Sequence, residues 1–213
     1  MRFIALAVLG FVCFSACSQQ EAVKSKEVTP KSELENAQVA YFASGCFWCV
    51  EGVYEEVEGV LEVESGYSGG HIENPTYEEV CAGTTGHAET VKVYYDSAKV
   101  SYKQLVEVFF GSHDPTTLNK QGPDSGTQYR SAVFYQTPGE LKIIQDYIDE
   151  LKRDLYKKTP ITTEVTKFTD FYKAEDYHQD YERLHPNSGY IKSVSKPRVE
   201  EFKKKYPDLL KKN

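Results

Sequence analysis

From residue 38 onward the sequence predicts one domain of mixed α and β structure, either α/β or α+β, built on a mixed sheet. Two observations predict it: strand-like and helix-like segments alternate along the chain, and two helix starts carry capping signals. Val39-Ala40-Tyr41-Phe42-Ala43 is a short apolar run suited to a buried strand. It passes through Ser44-Gly45 into a helical pattern with Phe47, Val50, Val53, Tyr54 and Val57 on one face. Val60 to Tyr67 reads as a strand ending at the turn Gly69-Gly70, and Thr90 to Tyr95 alternates as a second long strand. Ser101 with Gln104 is a capping-box start for a helix through Phe110. Ser131 to Tyr135 is another strand. Thr137 with Glu140, and Pro138 at the first helical position, opens a helix running to Arg153. Thr162 to Thr166 reads as the last strand and Val199 to Lys205 as a terminal helix. The stretches 68–88 and 111–130 lack periodicity, and loops of that length in a compact domain usually serve function.

The 213 residues suffice for one medium domain with a core that needs no disulfide staples. A hydrophobic content of 40% with 13% aromatics excludes a disordered chain, and 16 Tyr supply apolar walls that also carry hydroxyl donors. The net charge of −7 argues against nucleic acid as a partner, since phosphate binding needs a basic stripe. Lys203, Lys204, Lys205, Lys211 and Lys212 form the one dense basic cluster and read as a solvated helix face.

Residues 1–17 read as a signal segment. Arg2 precedes an apolar run from Phe3 to Phe14, which is shorter than the roughly 20 residues a bilayer requires. Phe14-Ser15-Ala16-Cys17 resembles a bacterial lipobox, in which Cys17 would be acylated and become the new N-terminus. The expected location is then the cell envelope, as a membrane lipoprotein facing the periplasm or exterior. Phe14 stands where Leu is usual, so secretion as a soluble protein after Ala16 stays open. Residues 18–37 read as a flexible polar tether and 38–213 as the folded domain.

Of five Cys, the folded part keeps Cys46, Cys49 and Cys81, an odd number that would strand one thiol in any structural framework. Cys46 sits where a strand gives way to a helix, so the first helical amides and the dipole can stabilise a thiolate. Cys49 lies one turn on, close enough to form a disulfide with it. Alternatives are a buried structural pair, or zinc held by Cys46, Cys49, Cys81 and His87. The Cys-x5-His second half is poor zinc spacing. Between the thiols, Phe47 and the sole Trp, Trp48, make a slot for a small methyl group, or simply pack in the core.

The run Gly45-Cys46-Phe47-Trp48 resembles the signature of methionine sulfoxide reductases of the A class. So do Asn74 to Glu89, containing Tyr77 and Gly86-His87-Ala88-Glu89, and His113-Asp114-Pro115 followed by Gln121 to Ser131. Together the similarity spans about residues 38–207. It implies an α+β fold, an α/β roll: a two-layer sandwich with a mixed sheet and a ferredoxin-like core. It implies reduction of the S epimer of methionine sulfoxide, free or in proteins. Cys46 would attack the sulfoxide sulfur and Phe47 and Trp48 would hold the methyl. Glu89 would protonate the oxygen, Tyr77 and Tyr129 would hydrogen-bond it, and Asp124 would orient the substrate. Cys46 would end as a sulfenic acid. No metal or cofactor is implied beyond an external, thioredoxin-like thiol reductant, and the default assembly is a monomer. Protonating a sulfoxide oxygen requires an acid, and a carboxyl can serve at neutral pH when a poorly solvated pocket raises its pKa. His87 and Arg130 read as structural, and Cys81 as a small buried thiol.

One departure matters. Many relatives have Gly after the Trp and carry resolving cysteines near the C-terminus, whereas this chain has Cys49 and no Cys beyond Cys81. Cys49 is therefore the expected resolver, giving a Cys46–Cys49 disulfide, with Cys81 the alternative. The sole Met is Met1, so the processed chain would lack the enzyme's own target. Two other readings compete. A thioredoxin-like exchanger explains the Cys-x-x-Cys but not Glu89, Tyr77, Tyr129 and Asp124. A non-catalytic lipoprotein module explains the leader and the aromatics, but not a Cys at a helix start.

Overall fold

The computed structural model describes residues 29–212. The expected signal segment, Cys17 and the tether as far as residue 28 lie outside the described residues. Where the sequence reading places the end of the flexible tether, Lys31–Asn36 is instead a short helix, α1, that buries no residue. Strong helix formers follow Pro30 there, and Thr29 Oγ1 donates to the Leu61 carbonyl at 2.7 Å, tying the segment to the domain.

The domain then runs β1 (Gln38–Ser44), α2 (Phe47–Glu55), β2 (Val60–Ser68), α3 (Tyr77–Cys81), β3 (Ala88–Tyr95) and α4 (Tyr102–Gly111). A two-rung hairpin of β4 (Lys120–Gln121) and β5 (Asp124–Ser125) precedes β6 (Ser131–Tyr135) and α5 (Pro138–Asp154). β7 (Glu164–Lys167), β8 (Phe171–Lys173), α6 (Tyr181–Leu184), a π-helical turn (Ile191–Ser195) and α7 (Lys196–Lys205) complete it. The main sheet has the order β7-β6-β1-β3-β2-β8. Its centre, β6-β1-β3-β2, is antiparallel throughout and is joined as β-α-β-β-α-β, the ferredoxin-like arrangement. β7 pairs with β6 in parallel, which makes the sheet mixed. The chain has the α+β fold expected of it.

β1 reads as unbroken apolar sequence because both its faces are covered. Ala40 and Phe42 face the helices, and the Phe42 ring lies 5.1 Å from Tyr54 and 5.5 Å from Phe109. Tyr41 and Ala43 face the other way, where Tyr41 stacks on Phe168 at 3.9 Å. Burial of this kind sets a cost of about 3–5 kcal/mol for truncating Phe42 to Ala.

Local signals were met unevenly. Ser101 and Gln104 form the complete box expected. Thr137 accepts from Glu140 N, but the Glu140 carboxylate reaches one residue further back, to Gln136 N at 2.7 Å. A box with no counterpart in the sequence reading joins Thr76 to Glu79 and starts α3. β8 escapes a periodicity search because it is only three residues long. α7 begins at Lys196 rather than Val199, with Pro197 in its first turn, where a missing N–H costs nothing. Among the described residues no helix is long and apolar enough to cross a membrane.

Candidate functional site

Between β1 and α2 the chain turns at Gly45, whose φ of 92° favours glycine and whose added Cβ would meet the Gln121 side chain at 2.7 Å. Cys46 is the N-cap of α2, yet its side chain caps nothing. The amide of Phe47 instead donates to Glu89 Oε2 at 3.0 Å, reaching across to β3. The helix start expected to steady a Cys46 thiolate therefore serves the carboxyl. Glu89 is 1% exposed, and burial pushes its pKa up to about 8. The Phe47 bond opposes that rise, while Asp124 and Cys49 add to it. With Oε2 accepting from Phe47, Oε1 is left to carry the proton at neutral pH.

Cys46 and Cys49 are both reduced, buried and hydrogen-bonded to each other. The bond from Cys46 holds the Cys49 thiol down at about 6 against its burial, helped by Arg198, Ser195 and Tyr190. Cys46 is pushed up by burial, by donating to Cys49 and by the nearby Glu89. The two thiols thus share a proton, with the Cys49 side pushed down and the Cys46 side pushed up. Attack by Cys46 requires that proton to cross one hydrogen bond to Cys49.

Arg198 of α7 fixes the base of this junction. It donates to the Ser112 carbonyl at 2.7 Å, and to the Ser44 carbonyl and hydroxyl at 2.9 Å each. A cleft of about 650 Å³ between α7 and the 111–124 segment is lined by Cys49, Asp124 and Arg198, but not by Glu89 or Trp48.

On the other side of α2 the walls are aromatic. Trp48 is half-buried, stacks on Tyr181 at 3.7 Å and donates from Nε1 to His178 Nδ1 at 3.2 Å. Phe47 is fully buried, 6.3 Å from Trp48 and 4.9 Å from His178. Tyr77 lies 4.4 Å from the same imidazole, its hydroxyl is bonded to the Cys81 thiol, and its amide donates to Glu175 Oε1 at 3.0 Å. Tyr129, on the turn Thr127–Tyr129, stands near Glu89 and Cys46; burial above all, and the proximity of these acidic groups, keep its phenol protonated. Asp124 on β5 accepts from Tyr190 Oη at 2.6 Å, and that hydroxyl also sits 3.7 Å from Cys49 Sγ.

Structure thus gathers Cys46, Cys49, Phe47, Trp48, Tyr77, Glu89, Asp124 and Tyr129 around one site. Cys81 is partly exposed, beside Tyr77, rather than buried. His87 is engaged with Gly70 N and the Ile72 carbonyl, and Arg130 with Glu164 and the Thr127 and Gly86 carbonyls, as framework residues are. The four zinc candidates do not converge; among the described residues the acids that do are Glu51, Glu55 and Asp180. Sequence reasoning passed over Glu175, His178, Tyr190, Ser195 and Arg198. The one available signal was the density of Tyr and His between 177 and 190, which follows no helix or strand period.

The sequence model of the family described as peptide methionine sulfoxide reductase matches residues 38–210. A peptide methionine sulfoxide reductase MsrA from Saccharolobus solfataricus is 49% identical over 174 residues, 82% of this chain and 97% of that relative. Among solved structures, the methionine sulfoxide reductase A of Corynebacterium diphtheriae is 35% identical with a TM-score of 0.65, covering 71% of this chain and 76% of that one. Reduced Mxr1 of Saccharomyces cerevisiae is 33% identical, also with a TM-score of 0.65, covering 71% and 87%.

Proposed function

The chain belongs to the peptide methionine sulfoxide reductase family, and from that premise we propose how Cys46, Glu89 and Cys49 divide the reaction. The enzyme is a thiol-dependent reductase of the S epimer of methionine sulfoxide, free or within proteins. The observation that carries the division of roles is the bond from Phe47 N to Glu89 Oε2, which aims a buried, protonated carboxyl at the nucleophile's helix start.

The substrate methyl lies against Trp48 and Phe47, and its sulfoxide oxygen takes hydrogen bonds from Tyr77 and Tyr129, both of which stay protonated donors. Asp124, steadied by Tyr190, orients the substrate. The Cys46 proton moves to Cys49, the Cys46 sulfur attacks the sulfoxide sulfur, and Glu89 gives its proton to the oxygen. The hydroxyl then passes to the Cys46 sulfur as the S–O bond and the transient S–S bond to the methionine sulfur break, methionine leaves, and Cys46 holds the oxygen as a sulfenic acid. Cys49 then displaces that hydroxyl to close the Cys46–Cys49 disulfide, which an external thioredoxin-like dithiol reopens. No metal or cofactor enters this sequence, because the electrons come from thiols.

The test is an epimer-resolved reduction assay on the purified domain with dithiothreitol. The S epimer yields methionine and Cys46→Ser yields none. Retained turnover in that variant, or insulin reduction without methionine formation, would remove the assignment.

The leader supports a location as well. The apolar run Phe3 to Phe14 and the Phe14-Ser15-Ala16-Cys17 motif favour a lipoprotein anchored through Cys17 and facing the periplasm or exterior, with residues beyond Cys17 spacing a monomeric domain from the membrane. Labelled palmitate incorporated by the native chain and not by Cys17→Ala is the expected result. Equal partition of both into the soluble fraction would favour secretion.

A further inference from the structure

The reaction described above leaves one proton without a destination. When Cys46 attacks, its proton passes to Cys49, so the resolving sulfur enters the second step as a neutral thiol. Glu89 has spent its own proton on the sulfoxide oxygen, but it approaches from the Phe47 side of the helix start. A second base is needed on the side where Cys49 faces α6 and α7.

That side holds a pair which the first half-reaction does not use, a fully buried serine bonded to a partly buried glutamate. Ser195, the last residue of the π-helical turn, is fully buried, bonds the Cys49 sulfur and donates its hydroxyl to Glu182 Oε2 of α6. Glu182 lies against α2 one turn beyond Cys49, over Gly52; a Cβ at that position would meet Glu182 Oε2 at 2.5 Å. Glycine within a helix costs about 1 kcal/mol relative to alanine, and here the missing side chain is what admits the carboxylate. The π-helical geometry fits the same picture, because such bulges re-aim side chains at functional sites.

We propose that Glu182, acting through the Ser195 hydroxyl, accepts the proton of Cys49 as it attacks the Cys46 sulfenic acid. Cys49 gives its proton to Ser195 Oγ while Ser195 passes its own to Glu182. The Cys49 lone pair forms the S–S bond, the S–O bond of Cys46 breaks, and the hydroxyl leaves as water with a proton from solvent. Cys49 is oxidised and Cys46 is reduced to the disulfide level. Glu182 then returns its proton to solvent.

The charges facing Glu182 suit a base that works near neutrality. Burial raises its pKa to about 7, with Cys49 and Glu55 of α2 adding to the rise, while the Ser195 bond and Lys196 of α7 lower it. Ser195 is the group in contact with the reacting sulfur, and Glu182 is a positioning residue acting through it.

The inference rests on Cys49 being the resolver, so Cys49→Ser runs beside Glu182→Gln and Ser195→Ala in a single-turnover experiment. Methionine release is followed by chromatography, disulfide closure by thiol count after acid quench, and sulfenic acid by dimedone trapping. In Glu182→Gln and Ser195→Ala, closure slows at least about tenfold more than methionine release, and dimedone adduct accumulates. Closure in the parent rises with pH through about 7 and is flat in Glu182→Gln. Glu182→Asp and Ser195→Thr, which keep a carboxylate and a hydroxyl, recover part of the rate. If Cys49→Ser still closes an intramolecular disulfide, the resolver reading falls and the relay with it. If Cys49→Ser stalls while Glu182→Gln closes at the parent rate, the relay alone falls. It also falls if both steps decline together and the conservative variants rescue neither.

Discussion

Replacing Glu89 by Gln isolates the acid from its surroundings. Gln keeps an oxygen to accept from Phe47 N, so the 3.0 Å contact that orients the group survives while the transferable proton is lost. The magnitude follows from burial. With a pKa of about 8, about nine in ten Glu89 carboxyls are protonated at pH 7; at the ordinary 4.5, about three in a thousand would be. Burial therefore raises the reactive population about 300-fold at pH 7, equivalent to about 3 kcal/mol. Single-turnover methionine formation by the parent falls about ninefold from pH 7 to pH 9, because the acid is lost as pH rises through its pKa. On the acid side the rate rises through about 6, where the thiol pair acquires its charge. In Glu89→Gln the rate at pH 7 drops by about 10²–10⁴, and the alkaline limb disappears. Stopped-flow mixing with quench and chromatographic detection of methionine measures both. A variant within about threefold of the parent, or one that keeps the alkaline limb, would refute the assignment.

Cys49→Ser releases one methionine per enzyme and then stalls with a thioredoxin-like donor; sustained turnover at the parent rate would point to another resolver, with Cys81 the first to examine. Tyr190→Phe removes the hydroxyl shared by Asp124 and Cys49, and alkylation of the thiol pair should then titrate at higher pH, since a hydrogen bond to a charged group is worth about 1.5–3 kcal/mol; an unshifted titration would take Tyr190 out of the account. Glu51, buried between Ser65 Oγ and Asp180 N, has its pKa raised to about 8, so the stability its neutral form contributes is full below about 4.5 and is lost as pH rises through about 8. Glu51→Gln does not titrate, so urea unfolding should show it gaining on the parent by on the order of 4 kcal/mol from pH 5 to pH 9, and a difference that stays constant with pH would contradict the shift.

What could be read from sequence was whatever is encoded locally. The Ser101 box, the doubly covered β1 and the strand-to-helix passage at Cys46 depend on neighbours a few residues away, and each formed. The ferredoxin-like order and the gathering of Tyr77, Glu89, Asp124 and Tyr129 were legible only through resemblance, since pairing such as Phe42 with Val91 leaves no local trace. The helix start was read as serving its own N-cap, Cys46. The amide was claimed instead by Glu89, 42 residues away. His178, Tyr190 and Arg198 went unseen for the same reason: each meets α2 or the end of β1 across 130 residues or more.

Those long reaches have a consequence for how the protein comes into being. Trp48 waits for His178, Glu51 for Asp180, Cys49 for Tyr190 and Ser44 for Arg198, so four contacts that hold the thiol helix and the strand end before it come from the last fifth of the chain. The ferredoxin-like strands are all synthesised by Tyr135, well before any of these partners exist. A chain emerging from the N-terminus first can assemble its sheet with both thiols still unmatched, and closing contacts of such sequence separation is the slow part of folding. Competence to reduce a sulfoxide is thus conferred at the end of synthesis, and a chain cut short before α6 would lack it.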